Sequence, residues 1–258
     1  MRVRVPMHDE WERSAGIPKL AQGEVQVWWI ELSAENADDT KYLPALNAEE
    51  TERAGRLRAG QVRTQFLAGR SGVRTLLGAH LGIAPQKVPI VMAEFGKPEL
   101  DSPSSEKIHF NVAHSRSTIL IALNLTAPVG IDIEYLDRKI EVEEVARHSL
   151  TEQETSTLLA IDDVAARSKF FFECWTRKEA VVKADGRGLS LPLTSFEAPT
   201  ESSSRPSSVT ILNMDRLFQR TYFVSDIAIV EGAACAVATA DRPSSVRLLR
   251  FPPADLAL

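Results

Sequence analysis

The chain has 258 residues, of which 44% are hydrophobic and 25% charged, with a formal net charge of −5 and a sequence pI of about 5.6. This composition is typical of a globular protein with one large core or two smaller ones, and the acidic balance argues against a general nucleic-acid-binding protein. Two cysteines, Cys174 and Cys235, are too few for a disulfide framework or a cysteine-ligated zinc site. No apolar run is long enough to span a membrane or to act as a secretion signal, so we expect no membrane contact and a cytoplasmic location.

The first half of the chain mixes helices with strands. Residues 1–23 show no clear periodicity and predict a loosely held leader. In the half that follows, residues 24–127, Asn47 is an N-cap candidate for the first helix. The hydrophobic pattern predicts strands over 24–32, 88–93, 108–112 and 118–125, helices over 48–59 and 63–81, and a turn-rich connection over 98–105.

The second half, residues 128–258, repeats this order of elements without a residue-level repeat. It predicts strands over 129–134, 210–212, 222–229 and 233–238, helices over 142–147, 151–160 and 165–184, and a surface loop over 200–208. The fold class is therefore α/β (α+β). If the two halves are related by a pseudo-twofold axis, a cleft lies between them, and such a cleft is a common place for a ligand site.

Two stretches carry the chemistry. Asp132 and Glu134 alternate with isoleucines in a predicted strand, so both carboxylates point to the same side. Glu179 and Lys183 are four residues apart on a predicted helix and share one face. Hard oxygen ligands of this kind are what Mg²⁺ prefers, so the acids predict a magnesium site. The alternative is a solvated strand edge with an ordinary helix-surface ion pair.

The order and spacing of four motifs make the chain resemble the Sfp-type 4′-phosphopantetheinyl transferases. The motifs are FNVAHS at 110–115, GIDIE at 130–134, WTRKEAVVK at 175–183 and GRGL at 186–189. The resemblance implies two α/β halves in pseudo-twofold relation with the active site in the cleft between them. It also implies an enzyme that moves the 4′-phosphopantetheine arm of coenzyme A to a serine of an apo acyl or peptidyl carrier protein.

The resemblance also assigns roles to residues. Asp132, Glu134 and Glu179 match metal ligands for Mg²⁺ or Mn²⁺, with Glu179 as the metal ligand, the catalytic base or both, and Lys183 as the group that stabilises the leaving group. Further contacts to coenzyme A phosphates are expected from a basic set: Arg53, Arg70, Lys97, His114, Lys178 and Lys183. Arg56 and Arg63 stay open as ligands of the 3′-phosphate. Ala113 stands where the family motif has serine, which removes one hydroxyl donor.

Substrate and partner stay partly open. Fatty-acid, polyketide and peptide-synthetase carriers all remain, and the length resembles the broad-specificity, monomeric branch of the family. We expect the carrier to contact the helix over 63–81, through Arg70 and Arg74, or the region 151–160. Two alternative classes are another magnesium-dependent phosphoryl enzyme such as a nuclease, and a non-catalytic module that binds coenzyme A or a carrier.

Overall fold

The computed structural model of the chain describes residues 16–32, 39–101, 107–201, 203–212 and 219–251. The strands are β1 (Glu24–Glu31), β2 (Ile90–Met92), β3 (Pro98–Leu100), β4 (His109–Ser115), β5 (Thr118–Asn124), β6 (Val129–Tyr135), β7 (Ser207–Leu212), β8 (Gln219–Asp226), β9 (Ala233–Thr239) and β10 (Ser245–Arg250). The helices are α1 (Ala48–Arg56), α2 (Gln61–Leu81), α3 (Val142–Ser149), α4 (Glu152–Leu159) and α5 (Val164–Asp185). This mixture confirms the α/β (α+β) class.

The first sheet has the order β10-β1-β5-β4 and carries α2 on one face. Strand β5 is antiparallel to both of its neighbours, β1 and β4, and β10 runs parallel to β1. Helix α2 approaches the sheet closely at Gly72, where an added Cβ would lie 2.7 Å from Ile121 Cδ1 and 2.8 Å from Ile30 Cδ1. The predicted cap of α1 is confirmed, since Asn47 and Glu50 form a reciprocal capping box.

The second sheet has the antiparallel order β6-β9-β8-β7 and carries α5 on one face. Both sheets share a sequence of connections: a first strand, then helices, then antiparallel strands of which the last pairs with the first. The matching order supports two similar halves, and the pseudo-twofold axis itself stays a prediction.

The remaining faces of the two sheets pack against each other. Trp29 and Leu120 of the first sheet and Ile131, Ile133 and Val237 of the second are buried in this shared core. Because Ile131 and Ile133 point into it, the intervening Asp132 lies on the opposite face of β6, the face that α5 covers. The core between the sheets thus fixes which side the acids occupy.

Two strands were not predicted. Strand β3 lies at the start of the segment predicted to be only a turn-rich connection; it is three residues long and, within the described ranges, pairs with β2 alone. Strand β10 follows β9 in the chain yet pairs with β1, so the C-terminal segment contributes to the sheet of the first half. The predicted leader lies largely outside the described residues, but its end is packed, with Leu20 buried in the core of the first half.

In the part of the chain that the structure describes, no helix is both long and apolar enough to cross a membrane.

Candidate active site

Helix α5 touches the backbone of β6 at Gly130. A Cβ added to Gly130 would lie 2.1 Å from the carbonyl oxygen of Ala180 and 2.4 Å from the amide nitrogen of Ala184. No side chain fits in that space, so the strand and the helix are in backbone contact. The residues next to this contact on the helix, Glu179 and Lys183, are thereby brought to the face of β6 that carries Asp132.

Lys183 pairs directly with Asp132. Its Nζ lies 2.6 Å from Asp132 Oδ1 and donates a second hydrogen bond to the carbonyl oxygen of Ile131 at 3.2 Å. The other carboxylate oxygen, Asp132 Oδ2, is buried and has no hydrogen-bond partner. Burial raises the pKa of Asp132 to about 6; Lys183 opposes this, and Glu179 and Glu134 add to it.

Glu179 and Glu134 belong to the same electrostatic cluster. Burial raises the pKa of Glu179, Lys183 lowers it and the charge of Glu134 raises it again. The carboxylate of Glu134 accepts hydrogen bonds from Arg138 at 2.8 Å on Oε1 and from the Ser115 hydroxyl at 3.3 Å on Oε2. Three acids therefore share a region in which two cationic groups, Lys183 and Arg138, compensate their charge only partly.

The donor chemistry of this cluster fits a hard divalent cation. Carboxylate oxygens are preferred ligands of Mg²⁺, and an unpartnered buried oxygen such as Asp132 Oδ2 is costly unless a cation or a donor satisfies it. Among the described residues, however, no three side chains of the metal-binding types already lie close enough to hold an ion. Lys183 and Arg138 each engage one carboxylate oxygen. The predicted ligand set Asp132, Glu134 and Glu179 stays a prediction, and it requires Asp132 and Glu134 to exchange Lys183 and Arg138 for the ion.

A cleft of about 300 Å³ opens beside these acids, and both halves of the chain line it. From the second half come Glu179, Val182, Lys183, Gly186 and Gly188; from the first come Asn111 and residues 95–98. A neighbouring cavity of about 500 Å³ shares Phe95 and Gly186 with it but has neither Glu179 nor Lys183 in its lining. The smaller cleft is therefore the candidate active site.

Lys97 lines this cleft, but its ammonium group is already engaged. Its Nζ donates to the carbonyl oxygens of Lys183 at 2.5 Å and of Val129 and Ala184 at 3.3 Å. Burial lowers the pKa of Lys97 to about 8, against the opposing effect of Glu99 and Asp185. In this structure Lys97 ties the loop before β3 to the end of α5. Its predicted contact to coenzyme A stays a prediction.

Lys178 contradicts its prediction as a phosphate contact. Its side chain is 0% exposed, and its Nζ lies 2.8 Å from the buried carboxylate of Glu154. It also donates to the carbonyl oxygens of Leu193 at 2.8 Å and Phe196 at 2.5 Å. Successive residues of a helix point about 100° apart, so Lys178 faces the interior while its neighbour Glu179 faces the cleft. Lys178 is a structural residue.

The other predicted coenzyme A contacts lie on the α2 side of the first sheet. Residues alternate along β4, so His114 shares a face with Val112, which packs in the core beneath α2, and His114 is exposed. Arg53 and Arg70 both lie over the ring of Phe66, with guanidinium-to-centroid distances of 5.1 and 6.0 Å. These three residues are not part of the described lining of the cleft. A ligand that contacts them and the lining of the cleft together therefore has to pass around the edge strand β4.

Three other arginines belong to the predicted contacts, two to the 3′-phosphate and one to the carrier. Arg56 forms an exposed pair with Glu52, and Arg63 pairs with Asp39. Arg74, predicted as a carrier contact, is 1% exposed and is held by Glu50 and by the carbonyl oxygens of Pro85 and Val88. The prediction for Arg74 is therefore wrong.

Two residues at the site were not predicted, although both belong to a recognised motif. Asn111 accepts a hydrogen bond from the amide of Ile131 at 3.0 Å and lines the cleft. Ser115 donates to Glu134. Together with Ala113 they form the face of β4 that meets β6. The signal available in the sequence is the even spacing of Asn111 and Ser115, four residues apart, which places both polar side chains on one face of a strand.

The comparisons with known proteins agree with these observations. Residues 128–238 match the model of the 4′-phosphopantetheinyl transferase superfamily. The chain is 34% identical to the 4′-phosphopantetheinyl transferase HetI of Nostoc sp. over 172 residues, and this matched region is 66% of this chain and 72% of the relative. It is 30% identical over 159 residues to the 4′-phosphopantetheinyl transferase Sfp of Bacillus subtilis, covering 62% of this chain and 68% of the relative.

A more distant relative is the L-aminoadipate-semialdehyde dehydrogenase-phosphopantetheinyl transferase of Mus musculus, 26% identical over 194 residues that cover 71% of this chain and 60% of the relative. The matched region of the family model contains Asp132, Glu134, Glu179 and Lys183, the four side chains that α5 and β6 bring together. The resemblance inferred from the motifs is confirmed, and the chain belongs to the 4′-phosphopantetheinyl transferase superfamily.

Proposed function

We propose that this chain transfers the 4′-phosphopantetheine group of coenzyme A to a serine of an apo acyl or peptidyl carrier protein and releases adenosine 3′,5′-bisphosphate. The observation that carries the proposal is the approach of α5 to β6, which places Glu179 and the Lys183–Asp132 pair at a cleft shared by both halves. Relatives that match this chain over more than two thirds of their own length are named for this activity. Fatty-acid, polyketide and peptide-synthetase carriers all fit the proposal.

Glu179 and Lys183 have separate roles in the transfer step. The serine oxygen attacks the β-phosphorus of coenzyme A, the bond from that phosphorus to the bridging oxygen breaks, and the bridging oxygen leaves with adenosine 3′,5′-bisphosphate. Glu179 accepts the serine proton, directly or through a water molecule, since its side chain lines the cleft. Lys183 stabilises or protonates the departing oxygen, and its bond to Asp132 keeps the ammonium in place before the substrate arrives.

Mg²⁺, or Mn²⁺ in its place, would be held by Asp132, Glu134 and Glu179 and would neutralise charge on the diphosphate. Arg53, Arg70, His114 and Lys97 remain the proposed contacts to the rest of coenzyme A. The first three form a partly basic surface beside α2, and two of them surround an aromatic ring. We also propose a monomer acting in the cytoplasm; the two cysteines are free and buried, which suits a reducing compartment.

The test is intact-protein mass spectrometry of a panel of apo carrier proteins incubated with the chain, coenzyme A and Mg²⁺. We expect one carrier or more to gain the mass of one phosphopantetheine, and chelation or Glu179→Gln to remove the gain. Glu173→Gln is the matched control, because Glu173 lies on the same helix but outside the described lining of the cleft. It should behave like the unchanged chain.

The same experiment separates the alternatives. If no carrier gains mass while coenzyme A still binds, a non-catalytic binding module takes the place of the proposed enzyme. Cleavage of nucleic acid that needs Mg²⁺ but no coenzyme A would favour another phosphoryl enzyme. Retention of transfer by Glu179→Gln would contradict the assignment of the base.

A further inference from the structure

The turn between β4 and β5 contacts the end of β6 through three separate interactions. The Ser115 hydroxyl donates to Glu134 Oε2 at 3.3 Å, and the Thr118 hydroxyl and Tyr135 hydroxyl share a hydrogen bond of 3.0 Å. The guanidinium of Arg116 lies 4.4 Å from the centre of the Tyr135 ring. The first sheet thus holds the strand of the second sheet that carries the acids.

The conformation of this turn is fixed from a third element. Arg116 has a φ of +51°, a conformation that a residue other than glycine adopts at a cost. Its carbonyl oxygen accepts a hydrogen bond of 2.7 Å from the Gln65 side chain on α2. Arg116 also forms an ion pair with Asp137, two residues beyond the end of β6. The turn is therefore held on both sides, and Ser115 enters it in a defined position.

Ser115 donates its hydrogen bond to one of the two carboxylate oxygens of Glu134, Oε2. Arg138 engages the other oxygen from a position four residues along the same segment, and its side chain is 55% exposed. An ion pair that exposed holds its partner weakly. Ser115 comes instead from the rim of the opposite sheet, where the turn described above fixes its backbone. Of the two contacts to Glu134, the one from Ser115 is the one that ties the carboxylate to the first sheet.

We propose that Ser115 is a positioning residue that orients Glu134 for a divalent cation shared with Asp132. The inference rests on the proposed function, because the cation is part of that proposal. Residues that hydrogen-bond a ligating carboxylate typically change metal affinity about 10-fold to 100-fold when they are lost. Ser115 thus links the fold of the first half to the acids of the second.

The test measures binding of Mn²⁺ alone and Mn²⁺ with coenzyme A, read from the electron paramagnetic resonance signal of free Mn²⁺, without any carrier protein. Ser115→Ala should weaken Mn²⁺ binding by about 10-fold or more, and Ser115→Thr, which keeps a hydroxyl, should restore most of it. Ser117→Ala is the matched control: it removes a hydroxyl from the same turn that bonds Glu31 instead of an acid of the cluster. It should bind Mn²⁺ like the unchanged chain.

The inference would be overturned by equal Mn²⁺ affinity in Ser115→Ala and the unchanged chain, by equal weakening in Ser115→Ala and Ser117→Ala, or by no Mn²⁺ binding by the unchanged chain. Thermal unfolding of each variant shows whether a loss reflects the fold instead; a Ser115→Thr variant that is stable but as weak as Ser115→Ala also overturns it. Transfer to a carrier is measured separately on the unchanged chain. Failure of this transfer would count against the proposed function. If the unchanged chain transfers normally and Ser115→Ala binds Mn²⁺ as the unchanged chain does, only the role of Ser115 is contradicted.

Discussion

At the scale of single residues, neighbours in one motif do different work. Lys178 and Glu179 are adjacent, yet Lys178 is buried against Glu154 while Glu179 lines the cleft. Glu154 also accepts hydrogen bonds from the amides of Thr151 and Ala198, so the buried carboxylate joins α4, α5 and the segment beyond α5. A motif lysine can therefore be needed for the position of the helix without touching the substrate.

Lys178→Met should destabilise the fold strongly and leave the coenzyme A site of the folded molecules intact. Removing one partner of a buried ion pair typically costs about 3–5 kcal/mol, because the remaining charge is left without compensation. Adding Glu154→Gln should recover part of that loss, since the double variant no longer buries a charge. The measurement is a double-mutant cycle of unfolding free energies from denaturant titrations.

The matched comparison is Lys183→Met, which removes the lysine of the cleft. We expect it to abolish transfer with a smaller loss of stability, because Lys183 is 28% exposed. For Lys178→Met, the KM for coenzyme A should stay near that of the unchanged chain at temperatures where it is folded. A large rise in that KM with normal stability would return Lys178 to the phosphate contacts.

At the scale of elements, the active site depends on one close crossing. Helix α5 meets β6 at Gly130. Lys97 joins the two elements by donating to the carbonyl oxygens of Lys183 and Ala184 at the end of α5 and of Val129 on β6. The hydrogen bond between Asn111 and Ile131 fixes β6 against β4. These contacts explain why the acids of β6 and the lysine of α5 meet although they lie about fifty residues apart in the chain.

Gly130→Ala should separate α5 from β6. The added methyl group would lie within 2.1 Å of the carbonyl oxygen of Ala180, and neither backbone can yield as a flexible side chain would. Overpacking of this kind typically costs about 1–3 kcal/mol or more. We expect a lower denaturation midpoint and loss of transfer, because the Lys183–Asp132 pair opens. Midpoint and transfer rate are both measured.

Gly55→Ala provides the control for this change. Gly55 lies in α1, and an added Cβ would meet nothing within 4 Å. Alanine is favoured over glycine in a helix by about 1 kcal/mol, so this variant should be as stable as the unchanged chain or more stable. An unaltered midpoint in Gly130→Ala would show that α5 tolerates a shift and that the crossing does not fix the site.

The sequence predicts these elements well where periodicity is strong. The alternation in β6 placed Asp132 and Glu134 on one face, and the spacing of Glu179 and Lys183 placed both toward the acids. Strand β3 has only three residues and begins at a proline, so it offers no alternation to detect. The motif taken as a whole predicts that Lys178 and Glu179 both face the substrate, but the helical angle between residues 178 and 179 separates their side chains. The backbone contacts of Lys97 were beyond prediction, since they depend on how two halves pack.

At the scale of the whole molecule, the two halves have the same order of elements, but the chain crosses between them more than once. Strand β10 follows the last strand of the second sheet and pairs with β1 in the first. Leu249 is fully buried in the core beneath α2, and Phe251 lies edge-on to Trp28 with ring centres 5.8 Å apart. The first sheet is therefore complete only when the segment after β9 has returned to it, so we infer that the halves fold and unfold together.

We expect the two halves to unfold at the same denaturant concentration when each half is followed by its own probe. Fluorescence of Trp28 and Trp29 reports on β1, once Trp11 and Trp175 are replaced by phenylalanine. Thiol reactivity reports on the second half: Cys174 and Cys235 are both buried, and burial raises the pKa of Cys174 to about 12, so neither reacts at pH 8 in the folded chain. Leu249→Ala, which leaves a cavity under the first sheet and should cost about 2–5 kcal/mol, should move both denaturation midpoints equally, although Leu249 belongs to a different hydrophobic cluster from either cysteine. Loss of the tryptophan signal at a lower denaturant concentration, with the thiols still protected, would show instead that the second half stands alone and that β10 couples nothing.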